Sequence, residues 1–161
     1  MAKTKPPATM RVRVAAAGTS KFLTPGMKPE AVVAGHIATI VIPLEPLPAS
    51  RPRVTKWGTY IAKPYKQWID AALDVIPEGN LWLDKNLPLL VVTTAVCTKA
   101  RTSKLFFPRM DVDNTAKAAL DIVTKVGGYW ADDNQIVHLV TTKRFAAPGE
   151  AAYTSLSIYS L

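Results

Sequence analysis

Cysteine, histidine and acidic side chains are all scarce in this chain, and each shortage closes a route. A single cysteine, Cys97, among 161 residues excludes an intrachain disulfide framework and a cysteine-rich zinc cluster, and suits a reducing compartment. Cys97 lies in an apolar run and reads as inert. The only histidines, His36 and His138, fall in strand-like segments and read as core or sheet-face residues. No Gly-Lys-Ser/Thr phosphate loop, His-Glu-x-x-His zinc helix or Gly-x-Ser-x-Gly elbow occurs, so the chemistries anchored on those motifs have no support. The longest apolar stretch, near residues 31–44, is interrupted by His36 and Pro43 and is too short to cross a bilayer. The opening residues break their apolar stretch with Pro and Arg before an adequate hydrophobic region forms, which predicts a soluble, intracellular protein without a secretory signal.

What is abundant is positive charge. Lys and Arg total 20 against 12 Asp and Glu, for a formal net charge of +8, and that surplus favours an anionic partner, either nucleic acid or an acidic membrane surface. A length of 161 residues with 48% hydrophobic content fits one globular domain with a sizeable core.

Residues 1–33 mix Lys, Pro, Gly, Thr and Ala without a sustained period and read as a mobile arm or loosely packed lead-in to a domain over 34–161. Residues 36–44 are rich in β-branched side chains and stop at Pro43, Pro46 and Pro48, which predicts a first strand. A basic loop or short hairpin follows over 50–60. Tyr65, Trp68, Ile69, Ala72, Leu73 and Ile76 recur at helical spacing, predicting an amphipathic helix over 63–76 with Pro64 in its first turn. The nearly continuous apolar run 87–98 predicts a central strand. A second helix is expected from about Asn114 to Val126, ended by Gly127-Gly128. Strands over 135–145 and 151–159, separated by a Pro-Gly turn, are expected to form an antiparallel hairpin. The fold class is therefore α+β: a single compact domain whose mixed or antiparallel sheet carries two main helices.

Against the basic background, carboxylates gather at Asp111 and Asp113 and again at Asp132 and Asp133. If Asp111 and Asp113 end an extended segment, alternate residues share a face and the two carboxylates converge. Like charges that close repel unless a cation compensates, and an all-oxygen donor set suits Mg²⁺ or Mn²⁺. Adjacent residues on an extended chain face opposite ways, so only one of Asp132 and Asp133 is expected to join such a site. Lys117, one helical turn past Asp113, could balance charge on a phosphate under attack or position water.

Each feature also has a plainer explanation. Asp113 suits a helix N-cap, Lys117 with Asp113 or Asp121 suits a surface pair of about 0.3 kcal/mol, and Asp132-Asp133-Asn134 suits a turn. A calcium loop starting at Asp111 is excluded, since its turn glycine and bidentate glutamate would be Ala116 and Ile122.

Taken together, Arg109-x-Asp111-x-Asp113-Asn114-x-x-Lys117, then Asp121, then Trp130-x-Asp132-Asp133-x-Gln135-Ile136-Val137 resembles the signature of the RusA family of Holliday junction resolvases. Arg51-Pro52-Arg53, Thr59-Tyr60 and Lys63-x-Tyr65-x-x-Trp68 resemble that family's amino-terminal half, so the likeness covers about residues 44–160. The resemblance implies a homodimeric α+β endonuclease of the bacterial or phage-infected cytoplasm that binds four-way DNA junctions and cuts symmetrically related strands with Mg²⁺, or with Mn²⁺ in its place. It implies Asp111, Asp113 and Asp133 as metal ligands, with Asp132 as the substitute for the third, and Lys117 as an essential basic residue. An extra residue at Gly127-Gly128 departs from the family pattern.

DNA contacts are expected from two basic loops: Arg51, Arg53, Lys56 and Lys63 before the first helix, and Lys99, Arg101, Lys104 and Arg109 before the carboxylates. Phosphate contacts there would make affinity fall steeply with salt; an ordinary solvated surface is the plainer alternative. Phe106-Phe107 are expected to be buried in the core or a dimer, with a wedge at the junction centre as the second possibility. Two other functions fit the same residues: a flap or branched-DNA nuclease, and a non-catalytic DNA-binding accessory protein.

Overall fold

Prolines and glycines set the punctuation of the chain. In the computed structural model, residues 35–56 and 58–161 are described, so the arm expected over residues 1–33 lies outside the described residues. The elements run β1 (Gly35–Ile42), β2 (Arg53–Thr55), β3 (Gly58–Tyr60), α1 (Lys63–Val75), β4 (Leu89–Cys97), α2 (Val112–Val126), a 3-10 turn (Asp133–Gln135), β5 (Ile136–Phe145) and β6 (Tyr153–Ser160). β1 stops before Pro43, and β2 with β3 forms the expected short hairpin. α1 carries Pro64 in its first turn and ends at Ile76, whose extended conformation is the one favoured before Pro77.

The four long strands form one mixed sheet in the order β1-β6-β4-β5. β1 with β6 and β6 with β4 are antiparallel, whereas β4 with β5 is parallel. The fold is α+β, with both helices on one sheet face: Ile40, Ile42, Val91, Leu156 and Ile158 meet Ala72, Ile76, Ala119, Ile122 and Val123 in a single core. Ala116, Ala118 and Ala119 are all buried on α2, and their small side chains let that helix lie close to the strands. On the opposite face Val41, Thr142 and Val140 are exposed and Ser155 and Ser157 half-buried.

The hairpin expected of the last two strands does not form, because β4 lies between them. β4 is apolar on both faces and buried along nearly its whole length, so it gains most from a neighbour on each side. α2 supplies the crossover that a parallel β4–β5 pair requires. The chain then passes the end of β4, where the Ala146 N–H donates to the Cys97 carbonyl at 2.9 Å. Arg144 and Glu150 clasp that connection through paired 2.6 Å hydrogen bonds.

α2 also begins two residues earlier than expected. Asp111 is its extended N-cap residue, and the Asp111 carbonyl accepts from the Thr115 N–H at 3.1 Å and from the Thr115 hydroxyl at 2.7 Å. Asp113 therefore lies inside the first turn rather than on a strand with Asp111. Both acids sit where the helix dipole favours negative charge.

A close approach explains the second glycine after α2. Gly127 and Gly128 both hold positive φ, of 82° and 76°, which side chains other than glycine seldom adopt. A Cβ on Gly128 would stand 2.0 Å from the Gly79 carbonyl oxygen, so the loop after α1 docks here only because both positions are glycine.

Candidate active site

Residues from four separate segments line a groove of about 450 Å³. One wall is α2, with Lys117, Asp121 and Lys125, and Asp133 approaches from the 3-10 turn. Facing them, Pro52 and Ile61 flank the β2–β3 hairpin while Tyr65 and Ile69 come from α1. Lys117, Asp121 and Lys125 lie at four-residue steps, which keeps them on one side of the helix.

Lys117 Nζ donates to Asp121 Oδ1 at 3.2 Å, with the two side chains 63% and 42% exposed. Water screens a pair this open, so its contribution to stability is small. Burial, followed by the hydrogen bond and charge of Asp132 and the charge of Asp121, raises the Asp133 carboxyl above its ordinary pKa, while Lys117 lowers it. Tyr65 is pushed up by burial and by Asp121, so its phenol stays protonated.

The neighbouring acids play different parts. Asp132 Oδ1 accepts the Asn134 N–H at 2.9 Å and caps the 3-10 turn, which leaves Asp133 as the member of the pair on the groove. The turn is fixed from behind by Gln135, which is 5% exposed. Its Oε1 accepts the Ala131 N–H at 2.8 Å and the Asp132 N–H at 3.3 Å. Its Nε2 donates to the Asp84 carbonyl at 2.8 Å and the Leu87 carbonyl at 3.2 Å.

Asp111 and Asp113 are exposed at the N-terminal end of α2 and are not among the groove-lining residues. Among the described residues no group of three Asp, Glu, His or Cys side chains stands close enough to hold a metal ion. Asp121 and Asp133 nonetheless line the groove together, and the negative charges that raise the Asp133 carboxyl are a repulsion that a hard cation on carboxylate oxygens would relieve.

Arg51 is exposed between two lining residues, and Lys56 and Lys63 are exposed nearby in the chain; of Arg53, the backbone pairing with Tyr60 is described. Lys99, Arg101, Lys104 and Arg109 are exposed in the loop that leads from β4 to Asp111, with Lys99 Nζ 5.4 Å from the Phe145 ring centre. Phe106 and Phe107 are 95% and 60% exposed, so burial in the monomer core is overturned. Pro108 is the buried anchor of that loop, and the two rings before it point outward. His36 and His138 are both exposed on the sheet. The Cys97 thiol is buried and its pKa raised chiefly by that burial.

A family model described as Endodeoxyribonuclease RusA matches residues 43–151, a span that holds the groove and both acidic pairs. The chain belongs to the RusA endodeoxyribonuclease family. No protein of curated function gives a significant match. RusA membership carries endonuclease activity on Holliday junction DNA, and no helix among the described residues is long and apolar enough to cross a membrane. Two residues of this RusA chain gained no site role from sequence reasoning: Asp121, on the groove, and Gln135, buried behind the Asp132–Asp133 turn. The signal for Asp121 is its four-residue step from Lys117, and the signal for Gln135 is the Asp132-x-x-Gln135 spacing of a capping box.

Proposed function

We propose that the protein is a Mg²⁺-dependent resolvase, with Mn²⁺ able to replace Mg²⁺, that acts as a homodimer in the cytoplasm and cuts four-way DNA junctions during recombination and repair. The observation that carries this reading is the groove in which Lys117 and Asp133, from separate segments, stand together beside an exposed basic hairpin. Asp111, Asp113 and Asp133 would hold the ion, with Asp132 the substitute for the third, and Asp121 is a further carboxylate within the groove. When bound, the ion supplies Lewis acidity, polarising a phosphoryl oxygen and acidifying water.

The chain's own residues bind, orient and neutralise. Arg51, Arg53, Lys56 and Lys63 take phosphates on one side, and Lys99, Arg101, Lys104 and Arg109 on the other. Asp121 holds the Lys117 ammonium in place to meet negative charge growing on the phosphoryl oxygens. The attacking water gives up a proton to solvent as its oxygen bonds to phosphorus, the bond to the leaving sugar oxygen breaks, and that oxygen takes up a proton from solvent. Symmetric cutting needs two such sites. The edge strand β5, with Val137, Leu139 and Val140 exposed, offers a surface that a second copy can cover.

The test is cleavage of synthetic four-way junction, flap and duplex DNA with Mg²⁺ by the wild type and by Asp111→Asn, Asp113→Asn and Asp133→Asn. Symmetric junction cleavage lost in all three variants, with junction binding largely kept, is expected. Full cleavage by the three variants, or equal cutting of flap and junction by the wild type, refutes the reading.

A further inference from the structure

We propose that Trp82 is a stacking platform for a DNA base, carried on a loop that is hydrogen-bonded to Gln135 behind the Asp132–Asp133 turn; this rests on the nuclease reading above. Trp82 is 72% exposed, although an indole is a large apolar group that folding usually covers. It is also the only non-glycine residue with positive φ among the described residues, at 45°. Glycine adopts that conformation without strain and a bulky side chain does not. A strained backbone that presents a large ring to solvent does nothing for the core.

Both ends of the loop are fixed. On one side the Leu81 and Trp82 N–H groups donate to the Gly128 carbonyl at 2.8 and 3.2 Å, and the Gly79 N–H donates to the Gly127 carbonyl at 3.0 Å. On the other side the Gln135 amide that shapes the Asp132–Asp133 turn donates to the Asp84 and Leu87 carbonyls. One buried amide thus sets the position of the Trp82 loop relative to Asp133.

A single exposed ring favours a stacked base over a protein partner, which needs a wider apolar patch. Along the chain on either side of Trp82, Glu78, Asn80, Asp84, Lys85 and Asn86 are exposed, while Leu81 and Leu83 pack against the core. Trp82 is the one exposed large hydrophobic side chain of the loop over 76–88, so that loop presents a single π surface rather than an apolar patch. Lys85, three residues further on and exposed, would supply charge for a flanking phosphate. A base unstacked near the junction centre is the natural occupant, because every base has a face to stack on an aromatic ring.

The experiment compares wild type, Trp82→Gly and Trp82→Phe by anisotropy with a fluorescent four-way junction in EDTA, by thermal melting and by light scattering. Trp82→Gly should melt no lower than the wild type, since glycine relieves the positive φ, yet bind the junction roughly five- to tenfold more weakly. Trp82→Phe should retain most of the affinity. Wild-type affinity in Trp82→Gly overturns the proposal, and so does a marked fall in its melting temperature, which would make the ring structural. A change of oligomeric state with DNA affinity unchanged also overturns it, in favour of a protein contact. If the wild type binds no DNA, this inference and the nuclease reading both fall; if the wild type cuts junctions and Trp82→Gly binds equally well, this inference alone falls.

Discussion

Replacing Gln135 with methionine removes a buried amide while keeping side-chain length. Two of its hydrogen bonds are short, to the Ala131 N–H and the Asp84 carbonyl at 2.8 Å each, and contribute about 1 kcal/mol apiece. The two longer ones, at 3.3 and 3.2 Å, add about 0.5 kcal/mol together. The expected loss is therefore about 2–3 kcal/mol, measured by urea denaturation. A domain of ordinary stability, about 5–15 kcal/mol, stays folded under such a loss, so junction cleavage can be assayed on native protein. Cleavage should fall at least tenfold, because the Asp132–Asp133 turn loses the group that holds two of its N–H donors. Gln135→Glu keeps the acceptor but sets a charged oxygen against two carbonyls, and should fare no better. Stability within about 0.5 kcal/mol of the wild type, together with full cleavage by Gln135→Met, would refute the reasoning.

Two further outcomes follow from local geometry. Gly128→Ala puts a Cβ 2.0 Å from the Gly79 carbonyl oxygen at a φ of +76°; left-handed strain of about 1–2 kcal/mol adds to the clash. The melting temperature should drop by roughly 10 °C, and an unchanged melting curve would contradict the docked loop. Glu150 is held down to a pKa of about 2, first by its hydrogen bond to Arg144 and then by the Ala147 N–H. Because its folded pKa lies below the ordinary carboxylate value, its contribution is fully present above about pH 4.5 and fades as pH falls toward 2. Glu150→Gln should thus melt below the wild type at pH 7, with the gap closing in acid; a gap that persists at pH 2 would show that the pair is not its cause.

Local pattern read most of the fold and long-range choice defeated the rest. The Leu89–Cys97 run announced an internal strand because its residues are apolar on both faces, and Tyr65 to Ile76 announced α1 by their spacing. Nothing local in 135–160 could reveal that β4 would separate two strands joined by so few residues. Gly127-Gly128 read correctly as a helix end, but the docking of Gly79 against Gly128 is a contact across the fold. Asp111 and Asp113 were conspicuous as acids, yet their relation changed once Thr115 made Asp111 the cap of α2. Phe106 and Phe107 looked like core residues by type, and the buried ring of Pro108 beside them left both outside.

The most direct test of the account is a crystal soaked in Mn²⁺ and read by anomalous scattering. An anomalous peak touching Asp133 together with Asp111 or Asp113 is the expected result. A peak that touches none of these acids, or no peak in a protein that still cuts junctions, would contradict it.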